Sequence, residues 1–125
     1  MKVKVKLNDK NINRIQREAQ IALEQTGDAI LTDIISAQVI PFDTGYLQND
    51  TTHVDTSKSS KGTIDIVSTA EYAATVYFHP EWNFQTVNNP NAKGLWFEDW
   101  INGAKKNFAK TTFVTLYRRL LGGVK

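Results

Sequence analysis

Residues 11–45 read NINRIQREAQIALEQTGDAILTDIISAQVIPFDTG, and the reading of this stretch decides the fold. Ile12, Ile15, Ala19, Ala22, Leu23, Thr26, Ile30, Ile34 and Ala37 recur at steps of three and four, the stripe of an amphipathic helix. The spacing predicts a helix over about 12–39, roughly 42 Å long at 1.5 Å per residue. Asn11 or Asn13 can cap its start by accepting a backbone N–H. Pro41 forces Ile40 toward extended geometry and closes it. Gly27, beside Asp28, weakens the middle by about 1 kcal/mol relative to alanine, so a bend or break is expected there.

Upstream, Lys2-Val3-Lys4-Val5-Lys6-Leu7 alternates charge and apolar side chain, the period of a half-buried strand with Val3, Val5 and Leu7 on one face. Its lysines form either a solvated edge that discourages further strand pairing or a basic strip. Downstream, Pro41-Phe42-Asp43-Thr44-Gly45-Tyr46-Leu47 sets turn formers between apolar anchors, and Gly45 is expected at positive φ in a tight turn. Two strand-like runs, about 51–56 and 63–68, flank Ser57–Gly62 and predict a hairpin. In the second run Ile64 and Ile66 face opposite to Thr63, Asp65 and Val67.

Ala70–Phe78 predicts a short helix with Tyr72 and Val76, joined by Ala73 and Tyr77, at helical steps. His79–Gly94 is too rich in Asn and Pro to be regular. Because that segment holds Trp82 and Phe84, it predicts a binding loop that orders on a partner rather than a disordered one. A second long helix is expected over about 96–121, with Phe97, Trp100, Ile101, Ala104, Phe108, Thr112, Leu116 and Leu120 on its stripe and the Gly122-Gly123 pair at its end. Phe113, Tyr117 and Leu121 widen the apolar face beyond one partner helix. The expected architecture is a single α+β domain over 1–125: a small antiparallel sheet packed against two long helices, with a short helix and a long aromatic-containing loop.

The 125 residues are 41% hydrophobic and 22% charged, ordinary globular values that argue against wholesale disorder. No apolar run approaches the roughly 18 residues of a membrane span and the start MKVKVKLNDK lacks a signal-peptide core, so no membrane partner and synthesis in the cytosol are expected. Without cysteine there are no disulfides, thiolate nucleophiles or cysteine-bearing zinc sites. A net charge of +2 does not by itself mark a nucleic-acid binder.

The candidates for chemistry are His53, His79 and scattered carboxylates, and none stands at a recognised catalytic spacing. Asp43, Asp55 and Asp65 could meet in space, yet no EF-hand, HExxH or glycine-rich phosphate loop is present. Glu98 and Asp99 suit the positive end of a helix dipole, as Arg118 and Arg119 suit the negative end. No catalytic residue, cofactor or metal is therefore expected. Lys2, Lys4 and Lys6, with Arg118, Arg119 and Lys125, form a candidate DNA-facing basic patch.

Pro41–Asp50, straight after a long helix, resembles the P-x-D-T-G-x-L-x-x-S turn of the neck and minor capsid proteins of long-tailed bacteriophages, with Asp50 where serine is usual. Tyr72–Phe78 is similar to that family's Y-A-x-x-x-Y-Y segment, and an Asn- and aromatic-rich stretch and Leu95-Trp96-Phe97-Glu98 follow in the same order. The resemblance spans Asn11 to about Lys110 and makes Pro41, Asp43, Thr44, Gly45 and Leu47 a structural turn. It implies a head–tail joining or tail-completion protein of the virion, made in the host bacterial cytoplasm. Such a protein docks on copies of itself in a ring and on neck, portal-side or tail-tube neighbours, with possible non-specific contact with genomic DNA. A ring protomer needs a second buried surface, for which Trp82, Phe84, Phe113 and Tyr117 are the candidates. Asp-Thr-Gly also occurs in aspartic proteases, which require two carboxylates sharing a proton, and no second such motif exists here. The alternative is a small intracellular DNA-binding module using the lysine face, with a nuclease or protease third.

Overall fold

The computed structural model describes residues 2–6 and 16–122, and in it the chain is an α+β protein. In chain order come β1 (Lys2–Lys6), α1 (Gln16–Ser36), a π-helical turn (Tyr46–Asp50), β2 (Thr52–Asp55), a 3-10 turn (Ser59–Lys61), β3 (Thr63–Ser68), α2 (Ala73–Tyr77), α3 (Glu98–Ile101) and α4 (Phe108–Leu120). The expected Leu7, the helix start at 12–15 with its Asn caps, Gly123 and Lys125 lie outside the described residues.

The strands form one antiparallel sheet in the order β1-β3-β2. Val3 pairs with Ile66, Val5 with Ile64 and Val54 with Ile66, so the alternation gathers these side chains on one face. Helix α1 lies across that face with Ala19, Ala22, Leu23, Thr26, Gly27, Ile30 and Ile34 buried, the stripe that its sequence announced. Gln20 and Glu24 of α1 both hydrogen-bond the Ser59 hydroxyl, fixing the hairpin connection to the helix.

Helix α1 runs unbroken through Gly27, so the break that helix propensity allowed does not occur. A Cβ there would sit 2.5 Å from Ile64 Cδ1 and 2.8 Å from Val54 Cγ1. Glycine is thus the residue that lets helix and sheet approach. The helix also stops sooner than expected, at Ser36: Ala37 N–H donates to Asp33 O, Gln38 N–H donates to Ile35 O, and Gln38 takes a left-handed φ of 58°. This cap closes the helix before Pro41 can act.

The predicted long final helix is in fact two. Trp96 and Phe97 are drawn wholly into the core rather than starting a helix, after Leu95 at φ 50° whose N–H bonds to Tyr77 O. Helix α3 then ends where Glu98 O accepts the N–H groups of both Asn102 and Gly103. Turns over 102–107 leave Ile101 and Ala104 exposed, so the predicted stripe is interrupted before α4 begins. Helix α4 packs along α1 with no residue fully buried, which leaves much of its apolar face only half covered. The core gathers Ile30, Ile34, Val39, Ile40, Leu47 and Ile66 around Tyr77, Trp96, Phe97 and Trp100. Trp100 Nε1 reaches Asp33 at 2.9 Å, clasping α3 to α1.

Candidate functional site

The turn after α1 owes its shape to Gly45, whose φ of 88° is the left-handed conformation that costs other residues most. Asn49 N–H donates back to Gly45 O at 2.7 Å, and the hydroxyls of Thr51 and Thr52 both donate to Leu47 O. These bonds bury Leu47 and turn Tyr46 outward, 44% exposed. Tyr72, on the turn into α2, is 45% exposed and its ring lies 6.4 Å from that of Tyr46. Of the residues placed at helical steps in this short helix, Ala73 and Tyr77 go inward, Val76 is half-buried and Tyr72 goes outward. Five residues make little more than one turn, and the core takes only one side of it.

The loop after α2 brings up the third wall. As expected, 79–94 contains neither helix nor strand. Its second half is fastened: buried Asn89 donates to Ile40 O and Gln48 Oε1, both at 2.7 Å, Asn91 donates to Ala37 O, and Lys93 N–H donates to Val39 O. In its first half Phe84 folds toward the turn, and Gln85 Nε2 reaches Asp43 Oδ1 at 3.4 Å.

Together these segments enclose a cleft of about 350 Å³ walled by Phe42, Tyr46, Tyr72, Val76 and Phe84, with Asp43 as the carboxylate among its lining residues. Burial first, then electrostatic interaction with Tyr46 and Asp43, holds the Tyr72 phenol above its ordinary pKa. No second carboxylate, histidine or cysteine is among the residues that line the cleft. The arrangement is suited to receiving an apolar or aromatic side chain with a polar or cationic tip. Sequence reading singled out Asp43, Thr44 and Phe84 here, but it did not bring Tyr46, Tyr72 and Phe84 together.

The other candidates are dispersed. Trp82, 45% exposed, stacks on His79 at 4.2 Å, and His79 Nδ1 pairs with Glu81 Oε2 at 2.7 Å. That bond holds the Glu81 carboxyl below its usual pKa. Phe113 and Tyr117 stack on each other along α4, and Phe113 lines a different groove from the cleft that holds Phe84. The four candidate interface residues thus belong to separate surfaces. His53 is exposed on β2; Asp55 and Asp65 are cross-strand neighbours, whereas Asp43 lines the cleft. Among the described residues no group of three or more His, Cys, Asp or Glu side chains could hold a metal. Lys2 and Lys4 share their groove with Lys106 and Lys110, and Arg118 and Arg119 are not among its lining residues. No helix is long and apolar enough to cross a membrane among the described residues.

No family model matches the chain, and no curated protein or solved structure is significantly similar to it.

Proposed function

We propose that this chain is a structural protomer of a tailed-phage virion, placed at the head–tail joint or at tail completion. It works by docking on copies of itself and on neck, portal-side or tail-tube neighbours rather than by catalytic turnover. The observation that carries this reading is the cleft. The Pro41–Leu47 turn, the Tyr72–Phe78 segment and the aromatic loop, which resemble that protein class separately, converge on one concave aromatic surface. Exposed Tyr46, Tyr72 and Trp82 are residue types that anchor interfaces, and the firm backing of the turn lets Tyr46 dock with little ordering cost.

The test is Trp82→Ala with Phe84→Ala, followed by thermal unfolding and incorporation into particles on the same protein. Trp82 is half exposed and Phe84 only partly buried, so the variant is expected to stay folded and fail to assemble. A folded variant that enters particles at the parental level overturns the reading.

A further inference from the structure

Four successive residues of β1, Lys2, Val3, Lys4 and Val5, line a groove of about 600 Å³. Successive strand side chains point to opposite faces. A groove that touches all four therefore runs along the edge of the strand and not over one face of the sheet. Its far wall is Trp100 and Ile101 of α3 with Lys106, Lys110 and Phe113 from the turn and helix that follow. β1 is an outer strand, hydrogen-bonded to β3 on one side, and among the described residues no strand pairs with its other side. Backbone N–H and C=O groups on that side are a template for another strand.

We propose that this groove binds an extended acidic segment of a partner protein, which adds to β1 as a fourth strand. The strand edge supplies backbone hydrogen bonds, Val3, Val5 and Phe113 supply apolar contacts for every second side chain, and the rim supplies the charge. Lys2, Lys4, Lys106 and Lys110 line the groove and no carboxylate does. Lysines on a bare edge repel most strands; opposite Glu or Asp they become cross-strand pairs, so one feature excludes wrong partners and selects acidic ones. Lys2 is held only loosely, 3.5 Å from Asp65 Oδ2, and its side chain stays half exposed. A nucleic acid fits less well, because phosphates would meet the rim while leaving the apolar floor uncovered, and Asp65 lies across from Lys4 in the sheet. The inference stands on residues outside the aromatic cleft and is independent of the proposed function.

Fluorescence anisotropy on the whole chain tests it with four labelled probes: a short peptide alternating Glu and Val, the same peptide with Lys for Glu, the Glu–Val peptide interrupted by prolines, and a DNA duplex. The Glu–Val peptide is expected to bind and to shift the backbone amide resonances of residues 2–5, whereas the Lys and proline peptides do not bind. Lys106→Glu with Lys110→Glu changes two exposed side chains and is expected to weaken binding at least about tenfold. Should that pair fail to fold, Lys106→Ala with Lys110→Ala replaces it, with the same direction expected. No binding of the Glu–Val peptide overturns the proposal. Equal binding of the proline peptide overturns strand addition, and tighter binding of the duplex makes the groove a nucleic-acid face instead.

Discussion

Gly27→Ala separates two opposite consequences of one methyl group. In an unobstructed helix the change stabilises by up to about 1 kcal/mol, because alanine is the better helix former. At this position the new Cβ would lie 2.5 Å from Ile64 Cδ1 and 2.8 Å from Val54 Cγ1. Ordinary carbon contacts are about 3.5–4.0 Å, so the overlap is about 1 Å against each. Ile64 is fully buried and Val54 is β-branched, which leaves neither an easy rotamer escape. Overpacking of this kind costs about 1–3 kcal/mol, and after the propensity gain a net loss of about 1–2 kcal/mol is expected. That corresponds to a fall in Tm of about 4–8 °C for a chain of this size. Ile64→Val removes the nearest atom at a cost of about 0.5–1.5 kcal/mol alone. Combined with Gly27→Ala it should recover at least about 0.5 kcal/mol relative to the sum of the two, a coupling measured by chemical denaturation of all four proteins. A Tm that rises in Gly27→Ala, or strict additivity in the cycle, would refute close helix–sheet approach as the reason for this glycine.

Gly45→Val places a β-branched side chain at φ 88° with Phe42 Cζ and Asn49 Nδ2 each 3.0 Å from its Cβ, and should cost about 1–3 kcal/mol in equilibrium unfolding. Asn89→Ala strands the buried Ile40 carbonyl and Gln48 amide oxygen, with an expected loss of about 2 kcal/mol and faster proteolysis within 79–94. Burial first, then the negative charge of Glu98, pushes the Tyr77 phenol up to about 12. Because the unfolded chain ionises near pH 10 and the folded one does not, the stabilisation is whole below pH 10 and is lost as pH rises toward about 12. Phenolate absorbance on alkaline titration should show one tyrosine ionising last, together with unfolding, and its early ionisation in a still-folded protein would count against burial as the cause.

The elements that the sequence declares plainly are those in which one period serves one surface. Helix α1 and strand β1 each bury a single side, and their apolar residues repeat accordingly, whereas β3, the middle strand, buries Thr63 and Asp65 as well as Ile64 and Ile66. The break between α3 and α4 was hidden because the stripe from Phe97 to Leu120 continues through Asn102 and Gly103 as if no turn intervened. Only the burial of Trp96 and Phe97 beside Tyr77 shows that the chain's entry into α3 is dictated by the core. Gly27 illustrates the same limit. A glycine inside a helical pattern signals either weakness or close approach, and it is the opposing Val54 and Ile64 that decide. For the candidate site, the turn geometry at Gly45 was legible from Asp-Thr-Gly, whereas the partnership of Tyr46 with Tyr72 depends on contacts between distant segments and has no local signature.

The way these segments are joined bears on what the cleft can do. Asn89 sits between the residue that ends the α1 connection and the π-helical turn, so the loop, the turn and Ile40 are fixed to one another through a single buried amide. Gln48, its partner, follows Leu47, whose side chain belongs to the core. A load applied to Tyr46 by a docked partner therefore passes by two covalent steps into the Asn89 bonds and the core, not into a floppy surface loop. Residues 80–88 are tied differently: Gln85 reaches Asp43, Trp82 stacks on His79 and donates its backbone N–H to His79 O, and Pro80 packs against Gly94. The tyrosine wall of the cleft is thus tied to the core through the buried Asn89 bonds, and the Phe84 wall through the exposed Gln85–Asp43 bond. In the proposed docking role, binding free energy then goes into contact on the tyrosine side without first ordering the turn.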